Sequence, residues 1–363
     1  MLEAHPQRDG LAVDRAVING ERREHSGVGI IHPARPDDTH VPEGELELPE
    51  VDMPNGPEAD LAREIIAKLK PLKLLNPIRP VFGLGCGTGT LVTNFGIPIN
   101  NEADNTPAYT VPLDEMLSRP APDPLMTGVV PKMRERIAFL KDHTPQWMKI
   151  GMPDTQGPYN IAHAVIGEEA LTAPYVDPEK FHKLMTRVTD LFIAVVSQLR
   201  EEIGPERLAP WNRFVRLAEC SVNMVSPQMY VAHILPHDLR ICEAFGPVDM
   251  HTCSGPHVFH VTLANVPNIV VTEAGYGDGL TAGHTPVDEA LRTIGDRPIA
   301  LRIGQMLPKG EEFECIRRDF DLYADHPRLM FHYTGMYWMK ADRRRIRAIH
   351  RQLDAYWTEK YGC

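Results

Sequence analysis

Seven short apolar runs rich in β-branched residues recur along the chain, each closed by Gly, Pro or a polar turn: RPVFGLG, QWMKIGM, RFVRLAE, VDMHTCSG, NIVVTEAG, IALRIG and LMFHYTG. Between them lie stretches with the i, i+3, i+4 spacing of amphipathic helices. The clearest begins at Asp177, read as the N-cap, with Pro178 as first helical residue and Gly204 as the stop. Strands that alternate with helices pair in parallel, because each crossover needs roughly a dozen residues and a helix supplies them. Seven runs, with room for one more near the N-terminus, fit an α/β fold of the (β/α)8 TIM barrel type better than an open sheet.

The start of the chain breaks this rhythm. Residues 1–58 are rich in Pro, Asp, Glu and His and carry neither helical nor strand period, so they read as an irregular N-terminal extension. Residues 59–363 then form the barrel domain, opening on ADLAREIIAKLKPLK, where Leu61, Ile65, Ile66 and Leu69 share a helical face. A length of 363 residues with 43% hydrophobic and 24% charged composition suffices for one large core. A formal charge of -11 opposes binding to nucleic acid, which needs a basic face against phosphates. No stretch approaches the roughly 20 apolar residues of a membrane span, and MLEAHPQRDG lacks the apolar core of a signal peptide. A cytoplasmic protein is expected. Its six cysteines, Cys86, Cys220, Cys242, Cys253, Cys315 and Cys363, are too scattered for a disulfide framework and read as thiols.

In barrels of this type the reactive side chains stand on loops leaving the C-terminal ends of the strands. Five groups of residues fall there: His251 and Cys253 in MHTCSG, Asp154 and Gln156 after the MKIGM run, Glu219 at the end of RFVRLAE, Glu273 after NIVVT, and His332 in LMFH. Alternate residues of a strand point the same way, so His251 and Cys253 can share one metal ion, and imidazole with thiolate suits zinc. The motif is short, and a packed histidine beside a buried cysteine would look the same. Tyr159 and Asp154 could orient a substrate or protonate a leaving group, or simply serve the turn DTQGPYN. His233 and His237 lie four apart, but Pro236 is expected to break the helical turn between them.

One motif is a decoy. VFGLGCGTGTL resembles the glycine loop of S-adenosylmethionine-dependent methyltransferases, which runs straight into a helix that supports the turn. Here Gly96 and Pro98 stop any helix within two turns, and Gly83 stands where an acidic residue is usual.

Three segments, MPDTQGPYNIAHAVIGEEALTAPYVDPEKFHKLMTRVTDLFI, SPQMYVAHILPHDLRICEAFGPVDMHTCSG and VDEALRTIGDRPIALRIG, together resemble the uroporphyrinogen decarboxylase superfamily, with the likeness running in order from about Arg79 to the C-terminus. The resemblance implies a (β/α)8 barrel enzyme of one of two kinds. One is the decarboxylase itself; the other is the corrinoid-dependent methyltransferases, which move a methyl group between a cobalamin-carrying protein and a thiol or other acceptor. In the latter, zinc is held by a His-x-Cys pair and a later Cys. His251 and Cys253 match that pair, but LMFHYTGMYW carries no Cys where the last ligand would fall. His332 is then the better substitute there, Glu273 or Glu219 with its neighbour Cys220 could complete the shell instead, and Cys315 in GEEFECIRRDF reads as a core residue.

The decarboxylase branch carries an arginine motif of the type RQAGR for substrate carboxylates. Nothing like it occurs here, since GERREHSG with Arg22 and Arg23 has different flanks. The expectation is therefore a zinc-assisted methyltransferase with a small-molecule substrate and a corrinoid protein as partner. Two alternatives stand beside it. The first is a metal-free decarboxylase of a porphyrinogen-like or other carboxylated substrate, with Asp154 stabilising a protonated ring nitrogen. The second is a non-catalytic barrel that binds a small ligand or a cobamide.

Overall fold

The computed structural model describes residues 81–361, apart from 85–86, 101–105, 145, 147–148, 254–255, 277–284, 307–309, 324–328 and 335–342. The N-terminal extension, its boundary at residue 58 and the stretch from Asp60 lie outside the described residues.

Each of the seven apolar runs contains a strand: β1 (Val81–Gly83), β2 (Lys149–Gly151), β3 (Val215–Ala218), β4 (Val248–His251), β5 (Ile269–Tyr276), β6 (Ala300–Met306) and β7 (Leu329–Thr334). All their pairings are parallel. Among the described residues they form a two-stranded sheet, β1-β2, and a five-stranded sheet in the order β3-β4-β5-β6-β7. Each neighbour in the larger sheet is the next strand in sequence, with a helix between each pair. Between the two sheets, Ile150 of β2 bridges Leu208, and Gly157 N–H donates to the Ala218 carbonyl at 2.6 Å. Every residue of β4 is buried, the mark of a strand covered on both faces.

The described α-helices of six residues or more are α1 (Leu113–Ser118), α2 (Val130–His143), α3 (Pro158–Ile166), α4 (Glu169–Val176), α5 (Pro178–Ile203), α6 (Leu235–Phe245), α7 (Pro256–Asn265), α8 (Val287–Ile294), α9 (Glu312–Tyr323) and α10 (Arg343–Tyr361). Helix α5 is the hub on which α1, α2, α3, α4 and α6 pack. Asp177 caps it by accepting from Lys180 N–H at 3.1 Å, and Gly204 ends it with φ 77°. Such a cap contributes about 1 kcal/mol. Its buried stripe runs from Phe181 through Leu184, Val188, Phe192 and Leu199 to Ile203. Cys315 lies buried within α9. In the glycine-rich segment, Leu91–Phe95 forms only a 3-10 helix that Gly96 closes in the left-handed region at φ 75°. A cofactor loop of the methyltransferase type needs a full helix there, and among the described residues the next α-helix begins only at Leu113.

Pro236 does not break the chain's helical course. A π-helical turn, Tyr230–Ile234, leads directly into α6, with Leu235 N–H donating to the Tyr230 carbonyl. Pro236 has no N–H for the carbonyl four residues back and its ring would clash with that carbonyl, so the helix widens before it. As a result His233 and His237 both face His182 of α5: His182 Nδ1 lies 3.1 Å from His237 Nε2, and His182 Nε2 lies 3.3 Å from His233 Nδ1.

No helix of the described residues is long and apolar enough to cross a membrane.

Candidate metal centre

Strand alternation builds the centre. Arg216 and Ala218 on β3, and Asp249 and His251 on β4, occupy alternate positions, and the register sets Arg216 beside Asp249 and Ala218 beside His251. Glu219 N–H donates to the His251 carbonyl at 2.7 Å, extending the pairing one step further. Cys220 lies two residues beyond Ala218, and Cys253 two residues beyond His251. One ligand atom each from Cys220, His251 and Cys253 lies within 4.8 Å of the others. Cys253 Sγ is 3.3 Å from His251 Nε2.

The other ring nitrogen is engaged from behind. His251 Nδ1 meets Glu273 Oε1 of β5 at 2.5 Å. Two guanidiniums flank that carboxylate, with Arg302 Nη1 at 3.6 Å and Arg216 Nη2 at 3.9 Å from Oε2. Asp249 Oδ2 in turn takes Arg302 Nη2 at 2.6 Å and Arg216 Nη1 at 3.5 Å. Two arginines and two carboxylates thus form a nearly neutral layer beneath the histidine. Burial would raise the Glu273 carboxyl, but His251 and the two arginines hold it down at about 2. Burial would lower the His251 imidazole, and Glu273 instead carries it up to about 9. A hydrogen bond from Cys220 lowers the Cys253 thiol, and the same bond raises that of Cys220.

These donors fit zinc. Tetrahedral zinc with Zn–N near 2.0–2.1 Å and Zn–S near 2.3 Å sets neighbouring nitrogen and sulfur ligands roughly 3.6 Å apart. A proton held on Nδ1 by a carboxylate directs an ion to Nε2, where it would displace the imidazolium's second proton. Two thiols and one imidazole leave a fourth position open.

Hydrogen bonds tie the loop after β2 to the centre. Gln156 Nε2 donates to Asp154 Oδ1 at 2.5 Å, Asn160 Nδ2 to Gln156 Oε1 at 2.5 Å, and Ser221 N–H to Asn160 Oδ1 at 2.6 Å. The chain of bonds therefore ends beside Cys220. The charge of Asp154 is felt at both Arg216 and Cys253. Gln156 (φ 55°) and Cys253 (φ 50°) are the described non-glycine residues with positive φ. Strain of this kind, of order 1–3 kcal/mol each, collects where a site over-determines its backbone.

Glu219 and Tyr159 sit behind this surface. Glu219 is fully enclosed, accepting Tyr159 N–H at 2.9 Å and Asn160 N–H at 3.0 Å, the free donors of the first turn of α3. A Cβ on Gly157 would stand 2.4 Å from Glu219 Cδ, which explains the glycine. Burial raises both Glu219 and the nearby Asp238, the latter to about 7. Tyr230 Oη donates to Asp238 Oδ2 at 2.8 Å. Tyr159 is buried too, and its hydroxyl donates to the Ala170 carbonyl at 3.3 Å. His332 lies on β7, opposite Gly304 of β6.

Of the positions singled out by sequence, the structure brings His251, Cys253 and Glu273 together, with Asp154 and Gln156 on the adjoining loop. It encloses Glu219 and Tyr159. Cys220 entered the sequence reading only as a neighbour of Glu219, and Arg216, Asp249 and Arg302 not at all. Their signal was the period of two, R-x-A-x-C against D-x-H-x-C, which acquires meaning once the register is fixed.

Residues 82–272 match the family model described as uroporphyrinogen decarboxylase (URO-D). No curated protein matches the chain. Among solved structures, a methyltransferase from Methanosarcina mazei is similar with a TM-score of 0.56 and 15% sequence identity, covering 81% of this chain and 86% of that one. At that identity the likeness is one of fold.

Proposed function

The chain belongs to the uroporphyrinogen decarboxylase family, and we propose that within it the chain is a zinc-dependent methyltransferase that works with a corrinoid protein. The observation that carries this reading is the convergence of Cys220, His251 and Cys253 with His251 Nδ1 turned onto Glu273. Cys220, His251 and Cys253 would hold the ion. Zinc bound there would supply a Lewis acid that keeps a substrate thiol deprotonated at neutral pH.

This chain's own residues do the rest. Glu273 fixes the His251 tautomer, and the Arg216–Asp249–Arg302 layer keeps Glu273 ionised and in place. Asp154 and Gln156 border the open side, where they orient the small-molecule acceptor. Glu219 is a positioning residue that ties the start of α3 to the residue before Cys220. His332 is the remaining candidate from the last strand, a fourth donor or a substrate contact. Tyr159 supports α3 from within.

The same proposal includes a closed (β/α)8 barrel over residues 59–363, with an eighth strand and closure beyond the pairings seen in the two sheets, and an extension over 1–58. A reducing, cytoplasmic setting suits a site of free thiols. The decarboxylase alternative requires an excess of cationic groups for substrate carboxylates, whereas Arg216 and Arg302 are matched by Asp249 and Glu273.

Metal analysis tests the reading. Purified protein is expected to hold about one zinc per chain, lost in His251→Ala, Cys253→Ala and Cys220→Ala alike. Retention of zinc by the Cys220→Ala and Cys253→Ala variants together would remove the assignment.

A further inference from the structure

Cys220 and Cys253 belong to a different class from the other described thiols. Cys242 and Cys315 are buried in the core, while Cys220 and Cys253 are partly exposed. Their sulfurs lie within 4.8 Å of each other. They leave adjacent parallel strands at matching positions past the Ala218–His251 pair. Both stand in the loops just past the strands, Cys220 opening a 3-10 turn and Cys253 at φ 50°.

We propose that Cys220 and Cys253 form a reversible oxidation site, closing to a Cys220–Cys253 disulfide that disables the centre. The disulfide rests on the sulfur geometry alone; its consequence for metal binding rests on the zinc reading above. The oxidant is a peroxide. One thiolate attacks the O–O bond, becoming a sulfenic acid and releasing hydroxide. The second thiolate then attacks that sulfur, forming the S–S bond and expelling a second hydroxide. Two electrons leave the sulfur pair and reduce one peroxide. Two of the three donors vanish in that step, and an imidazole alone cannot retain zinc against solvent. A thiol reductant reverses it.

The experiment treats full-length, zinc-loaded protein with hydrogen peroxide, reading released zinc with a chromophoric chelator and cysteine connectivity by non-reducing peptide mass mapping. The expected result is loss of about one zinc per chain in step with a Cys220–Cys253 cross-link, both restored by dithiothreitol and added zinc. In Cys220→Ser the cross-link is expected to be absent and Cys253 trapped as a sulfenic acid by dimedone. Oxidation of Cys253 to a sulfinic acid while Cys220 stays alkylatable would overturn the proposal, as would both thiols remaining reduced. If the reduced protein takes up no zinc, the metal reading fails, and mapping of the peroxide-treated metal-free chain still decides this one.

Discussion

Glu273 and Cys253 approach His251 through different ring nitrogens: Glu273 Oε1 lies 2.5 Å from Nδ1, and Cys253 Sγ lies 3.3 Å from Nε2. The carboxylate therefore decides which nitrogen is left for a metal ion. Carboxylate partners of this kind are worth about 10–100-fold in metal affinity. Glu273→Gln is expected to weaken zinc binding by that factor while leaving all three donor side chains in place. Competition against a calibrated chelator measures it, and an affinity equal to that of the parent protein would show that Glu273 does not support the ligand.

Gly157 has φ -87°, a conformation open to any residue, so its constraint is space and not backbone. The Cβ of Gly157→Ala would collide with Glu219, an enclosed side chain held by two N–H groups. Overpacking of this kind costs about 1–3 kcal/mol. Urea unfolding should show a loss of that size, and Glu219→Asp in the same chain should recover part of it by shortening the obstacle. An unperturbed Gly157→Ala protein would mean that α3 can shift freely, against the bonding described.

The strands were legible because β-branched apolar runs bounded by Gly and Pro have few other uses, and α5 because Asp177, Pro178 and Gly204 mark both ends. The His251–Cys253 half of the centre was legible for the same local reason, two residues on one side of one strand. Cys220 was not, since its place depends on the register between β3 and β4, a long-range fact. Family likeness also drew attention towards the last strand. Pro236 misled in another way: a proline stops an α-helix, but a π turn absorbs it, and only packing against α5 shows which occurs. Glu219 and Tyr159 have the residue types of a reaction centre, yet both face inward, a direction that composition does not reveal.

The histidine chain gives the protein an acid-sensitive joint between α5 and α6. His237 Nδ1 lies 3.3 Å from Thr189 Oγ1, whose own proton goes to the Met185 carbonyl at 2.7 Å, so a neutral His237 must donate from Nδ1. Its Nε2 then accepts from His182, leaving no room for an added proton. Burial first, and then His182, lower the His237 imidazole to about 4. A folded-state value below the unfolded one means stability is lost as pH falls from about 6.5 towards 4, by up to roughly 3 kcal/mol. Asp238 works in the opposite direction over much of that window, so the test is a difference: His237→Gln should lose less stability than the parent between pH 7 and pH 5 in urea titrations. Parallel pH profiles would remove the joint.

Asp238 provides the complementary case at alkaline pH. Burial pushes its carboxyl up to about 7, while the hydrogen bond from Tyr230 holds it down. An acid with a raised folded-state value contributes stability at low pH that disappears as pH rises from its unfolded value through the folded one. Removing the hydroxyl in Tyr230→Phe leaves the ionised carboxylate short of a donor and drives the folded value higher still, so the loss continues above pH 7. The variant should therefore be less stable than the parent by about 1–3 kcal/mol at pH 8 and by distinctly less at pH 6. Denaturant midpoints at the two pH values measure this directly. A deficit that is the same at both would mean that Asp238 does not titrate in this range and that Tyr230 contributes packing alone.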